Sequence, residues 1–153
     1  MDIIRDLLLD YTYLEIDQIY DPTGTVAQGE AALNEGRSIL NYTGHGSNGS
    51  FGNGCPMNNT DVNGLENGGK WPFIWSVACV NGEFHIGTCF AETWLRAIGS
   101  DGNPTGAIAT LMSTVNQGWN PPMAGQDEMN AILAESYSGN IKRTFGGLSF
   151  NGM

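Results

Sequence analysis

Two residues of this sequence carry chemistry that neither performs well alone. His45 stands in "ILNYTGHGSNG" (39–49), an apolar run that breaks into glycines. Cys79 stands in "FIWSVACVNG" (73–82), at the end of a second apolar run. A free thiol has a pKa near ~8.5, is mostly protonated at neutral pH, and is then a weak nucleophile. An imidazole within reach takes that proton, or holds it as an imidazolium beside a thiolate. Acyl transfer also needs donors for a developing oxyanion. The glycines beside His45 let backbone N–H groups approach unobstructed. The Gly46 and Cys79 N–H groups are the natural candidates.

Other readings compete. "GHGSNG" satisfies G-x-G-x-x-G after a strand, but a dinucleotide fingerprint must then open a helix. Here it runs into "SFGNGCPMNN". A zinc site wants paired ligands such as C-x-x-C. Cys79 and Cys89 are ten residues apart, with His85 alone between them. A Cys79–Cys89 disulfide would abolish thiol chemistry. With three cysteines, at least one thiol stays outside any intrachain pairing. A buried structural cysteine and a hydrogen-bonded histidine form the remaining alternative.

The elements that must position these residues follow from periodicity. Residues 3–9 read as a helix, with Ile4, Leu7 and Leu8 on one face. Residues 13–20 alternate Leu14 and Ile16 against Glu15 and Asp17, and read as a strand. Residues 21–24 form a turn. Thr25 with Gln28 is a capping-box start, for a helix reaching Glu35 and stopping at Gly36. Strands follow at 37–43, 72–78 and 106–113. A helix over 90–98 places Phe90, Trp94, Leu95 and Ile98 at helical spacing, and another spans 126–137. Residues 44–69 are mostly loop, too long to be an idle connection. This alternation implies a parallel sheet with helices on both faces. Ligands then bind beyond the carboxyl ends of the strands, which is where His45 and Cys79 fall.

Composition narrows the function classes. A chain of 153 residues, 41% apolar, suits one globular domain. Sixteen acidic residues against six basic ones disfavour nucleic-acid binding. No apolar run approaches the ~20 residues of a membrane helix. No signal peptide is visible at Met1.

"NYTGHGS", "VACVNGEF", "CFAETWLRA", "NPTGAIA", "STVNQGW", "PPMAGQDEMNAIL" and "NIKRTFGGLSFNGM" occur in that order. Together they resemble the gingipain family of cysteine peptidases, in the caspase-like superfamily. The resemblance covers essentially the whole chain. It implies an α/β fold, a caspase-like three-layer α/β/α sandwich with a mostly parallel sheet. It implies that residues 1–153 are the C-terminal part of a catalytic domain whose upstream portion is missing. By motif, His45 is the catalytic histidine, Cys79 the nucleophile, and Gly46 and Cys79 the oxyanion donors. Thr43, Val77, Ala78, Gln117, Trp119 and Met123 border the S1 pocket, where an indole face can pack on the stem of a basic P1 side chain.

The resemblance further implies polypeptide substrates, the remainder of the catalytic domain as partner, and a secreted or cell-surface location. It implies no catalytic metal or cofactor, with any bound calcium structural. The acid that orients the histidine, and the acid that selects arginine, have no matched position here. Lys-specific members carry an acid just after the pocket tryptophan; this sequence has "WNPPM". A non-catalytic binding or secretion-accessory module of the same fold is the rival, and its expected mark is loss of the Cys or the His.

Overall fold

The computed structural model describes residues 1–139 and 142–152. Asn140, Ile141 and Met153, at the ends of the last quoted motif, lie outside the described residues. In chain order the elements are α1 (Asp2–Tyr11), α2 (Val26–Glu35), β1 (Ile39–Thr43), β2 (Gly46–Ser47), β3 (Ser50–Phe51), α3 (Asn59–Asn63), β4 (Phe73–Val77), α4 (Phe90–Arg96), β5 (Ala109–Met112), α5 (Asn120–Leu133) and α6 (Phe145–Asn151). They fall into two compact units, Gln18–Gln117 and Met1–Asp17 with Gly118–Met153.

The first unit holds a parallel sheet in the order β1-β4-β5. β4 is central and buried at all five positions, as its nearly continuous apolar run, interrupted only by Ser76, leads one to expect. The capping box at α2 forms as read. Thr25 Oγ1 accepts the Gln28 N–H at 3.3 Å, and Gln28 Oε1 accepts the Thr25 N–H at 2.9 Å. Gly36 closes the helix in the left-handed region, with φ 115°. The core gathers Leu33, Met57, Val62, Leu65 and Ile74 around an aromatic run. In that run Tyr42 stacks on Phe51, Phe51 meets Phe90 edge-on, and Phe90 meets Trp94. Just before β5, Gly106 is bracketed by the fully buried Asn67. Asn67 donates to the Gly106 carbonyl and accepts the Gly106 N–H, both at 2.8 Å.

The second unit is helical. α1 packs on α5 and α5 on α6. Ile4, Leu8 and Ala134 form its small core.

The structure corrects several expectations. Residues 13–20 form no strand. Leu14 is 96% exposed, while Tyr13 and Ile16 pack on the helical core, a spacing of three that no strand face provides. α5 begins six residues before position 126, because Pro121 and Pro122 fit a first helical turn, where their missing N–H groups have no partner to lose. It ends at Leu133, and Glu135 then takes φ 55°. α4 stops at Arg96, and Leu95 and Ile98 are exposed, so only Phe90 and Trp94 of the four face the core. The stretch 44–69 contains the β2–β3 hairpin and α3, whose cap Asn58 pairs with Asp61. α6 lies where Gly146 and Gly147 argue against a helix; Thr144 caps it through the Gly147 N–H at 3.1 Å.

Thr25→Ala removes one cap partner without touching the core. It is expected to lower stability by about 1 kcal/mol, read as a lower urea midpoint with unchanged slope.

Candidate active site

β1 and β4 run in register from Ile39↔Phe73 to Thr43↔Val77. His45 and Cys79 each stand two residues past that last pair. The Gly44 N–H donates to the Val77 carbonyl at 3.1 Å, carrying the ladder one step past the strand end. Gly46 then passes against the cysteine corner. A Cβ there would stand 2.8 Å from the Ala78 Cβ and 2.9 Å from the Cys79 carbonyl oxygen, so a side chain would force the corners apart. Gly46 faces Phe51 across the hairpin, and the ladder bond beside it runs from the Gly52 N–H to the His45 carbonyl at 2.7 Å. That pattern makes Gly46 a non-hydrogen-bonded pair position, whose N–H the ladder does not consume.

The His45 corner is fixed through its backbone. Asn53 Oδ1 accepts the His45 N–H at 3.0 Å, and the Tyr42 hydroxyl donates to the His45 carbonyl at 2.6 Å. The same hydroxyl accepts the N–H groups of Gly52 and Asn53 at 3.0 and 3.3 Å. Burial pushes the Tyr42 phenol above its ordinary ionisation range, against the opposing pull of those amides. The imidazole itself is solvent-exposed.

Cys79 is a half-buried free thiol, and Cys55 and Cys89 are free as well, so the Cys79–Cys89 bridge does not form. Its Sγ lies 3.7 Å from the Gln117 carbonyl, and Gln117 Nε2 donates to the Ala78 carbonyl at 3.0 Å. The next residue, Val80, takes φ 50°. A β-branched side chain in that region carries strain on the order of 1–3 kcal/mol, a cost concentrated at working sites. The Val80 N–H donates to Val115 at 3.2 Å and the Gly82 N–H to Ser113 at 2.8 Å, pinning the turn to the chain after β5.

The turn also joins the hairpin. Asn81 is fully buried, and its Nδ2 donates to the Ser47 and Ser50 carbonyls at 2.7 and 2.9 Å. Asn48, at the hairpin tip, donates to the Glu83 carbonyl at 3.0 Å and accepts the Phe90 N–H at 2.6 Å.

Thr43 is half-buried at the end of β1, while Val77 and Ala78 are buried. Trp119 and Met123 belong to the helical unit, where Trp119 precedes α5 and both side chains are exposed. His85 is exposed and lies 3.7 Å from Glu83. Tyr42, Asn48, Asn53 and Asn81 escaped the sequence reading as site residues. The Asn48-Gly49 dipeptide was a readable hairpin signal; nothing local marked the other three. Among the described residues, no three His, Cys, Asp or Glu side chains gather as a metal site.

Residues 10–153 match peptidase family C25. Gingipain R2 and gingipain R1 of Porphyromonas gingivalis are each 49% identical to this chain over 99% of its length. The chain spans only 20% and 15% of those two proteins. The crystal structure of the Arg-specific cysteine proteinase gingipain R superposes with a TM-score of 0.94 at 49% identity, covering 99% of this chain and 35% of that one. A complex of Porphyromonas gingivalis RgpB pro- and mature domains gives 0.91 at the same identity, covering 99% of this chain and 36% of that one. The fold is thus the α/β, caspase-like one, with its mostly parallel sheet.

Tyr42→Phe leaves the ring stack and removes the hydroxyl from three backbone partners. Stability at neutral pH is expected to fall by about 2 kcal/mol. The fold raises the phenol's ionisation, so it holds that proton more tightly than the unfolded chain does. This contribution is fully present below the unfolded value near ~10 and fades as pH rises through the raised folded value. Denaturant titrations from neutral to strongly alkaline pH should show a shallower alkaline decline for Tyr42→Phe than for the parent.

Proposed function

The chain belongs to peptidase family C25, and on that premise we propose that it carries the nucleophile and the proton-transfer partner of a cysteine endopeptidase. Cys79 Sγ attacks the scissile carbonyl carbon. Its proton passes to His45, and the carbonyl oxygen becomes an oxyanion held by the Gly46 and Cys79 N–H groups. Collapse breaks the C–N bond as His45 protonates the leaving amine, leaving a thioester on Cys79. His45 then takes a proton from water. The hydroxide equivalent attacks the thioester, and the acid product leaves as the thiol is restored. The observation that supports this best is the Thr43↔Val77 register, which ends both strands at one level with a residue of each kind two positions on.

Cleavage after arginine is the preferred specificity. The curated relatives are R-type gingipains, and a solved relative is Arg-specific. The "WNPPM" stretch lacks the acid of Lys-specific members. Thr43, Gln117, Trp119 and Met123 would border S1, with Val77 and Ala78 contributing backbone because their side chains are buried. Polypeptides are the substrates, the remainder of the catalytic domain is the partner, and the setting is secreted or cell-surface. The chemistry calls on no metal. For a structural calcium, the described residues offer no cluster of three acidic side chains.

In the full-length protein, Cys79→Ala should lower hydrolysis of arginyl peptide substrates by at least ~10³-fold with an unchanged circular dichroism spectrum. A peptidyl electrophile bearing arginine at P1 should label Cys79 in the parent. Turnover surviving in Cys79→Ala would eliminate the assignment, and stronger labelling by a lysyl analogue would reverse the specificity.

A further inference from the structure

We infer that Asn81 is the positioning residue that holds the histidine corner against the cysteine corner; the inference rests on the catalytic reading above. The β2–β3 hairpin that continues from His45 has strands of two residues each. A ribbon that short has no independent stability, so contacts outside it must set its place. Beside the Asn48 tip and the Tyr42–Phe51 stack, Asn81 supplies the two that grip both of the hairpin's strands. Both protons of its Nδ2 are used, one on the Ser47 carbonyl and one on the Ser50 carbonyl. Its Oδ1 accepts the Ser76 hydroxyl of β4 at 2.9 Å, which fixes which way the amide faces. Its own carbonyl accepts the Ala91 N–H at 2.9 Å. One carboxamide, two residues from Cys79, therefore ties the nucleophile's strand to the hairpin, while the backbone of the same residue meets the start of α4. The fit leaves no slack: a Cβ on Gly46 would stand 2.8 Å from Asn81 Nδ2. Asn81 touches no reacting atom in this arrangement and acts by holding the Gly46 N–H and the His45 corner at the Cys79 turn.

The test uses the full-length protein and two readouts. The first is steady-state hydrolysis of an arginyl substrate. The second is the pH–rate profile of Cys79 carboxamidomethylation by a small neutral haloacetamide, which needs no substrate pocket. A misplacement of about 1 Å lowers turnover by ~100-fold, so Asn81→Ala should lose kcat on that scale with KM little changed. Its alkylation profile should move to that of His45→Ala. Asn67→Ala is the control: it removes another fully buried carboxamide, whose three backbone bonds go to Gly106 and Lys70 and not to the hairpin. It should lower thermal stability yet keep the parent alkylation profile. A parent profile and parent kcat in Asn81→Ala overturn the inference while leaving the catalytic pair intact. So does the same shift in Asn67→Ala, which would make the effect one of general destabilisation. A parent profile in His45→Ala overturns the catalytic reading and this inference with it. Should Asn81→Ala not fold, Asn81→Asp, which keeps an oxygen for the Ser76 hydroxyl and replaces the amide donor to the hairpin carbonyls with a second oxygen, is expected to shift the profile in the same direction, and an unshifted profile there overturns the inference.

Discussion

Two parallel strands ending at the same level are the constraint from which the rest of the site follows. Side chains alternate along a strand, so a slip of one residue between β1 and β4 would exchange their inward and outward faces. It would also carry His45 out of line with Cys79. The register resists such a slip because β4 is buried at every position and because Tyr42, the one buried residue of β1, must meet Phe51 in the core. Hydrophobic packing deep in the sheet thus decides where two polar residues stand beyond its edge.

Past the strand ends the restraint changes in kind. The corners are held by polar side chains gripping backbone: Tyr42 and Asn53 on the histidine side, Gln117 and Asn81 on the cysteine side. Buried amides and hydroxyls are destabilising unless every donor and acceptor is met. Those of Asn81 are all met by partners of fixed position. Such a network tolerates a strained neighbour, and Val80 is that neighbour. His45 and Cys79 themselves stay partly open to solvent, which leaves their reactive atoms accessible.

Much of this was legible in the residues. The three apolar strands, the Thr25–Gln28 cap, the Gly36 stop and the placement of His45 and Cys79 at strand ends all follow from local chemistry. What escaped was set by distant partners. Residues 13–20 alternate like a strand, but Tyr13 and Ile16 pack onto the helical core instead. The helix expected over 126–137 starts instead at Asn120, with Pro121 and Pro122 in its first turn. Asn81 reads as one more polar loop residue, and its partners Ser47 and Ser50 lie more than thirty positions earlier. Nothing in the intervening sequence marks a hairpin carbonyl as the destination of an amide.

Asn81 is followed by Gly82, the sequence context in which asparagine degrades most readily with age. That reaction requires the following backbone nitrogen to swing onto the side-chain carbonyl carbon, closing a cyclic imide and expelling ammonia. Here the nitrogen is engaged by Ser113, the carbonyl oxygen by Ser76 and the amide protons by the hairpin. The same bonds that set the geometry also deny the ring closure its trajectory, so the folded chain shields from spontaneous chemical decay a bond pattern that an unfolded copy would lose.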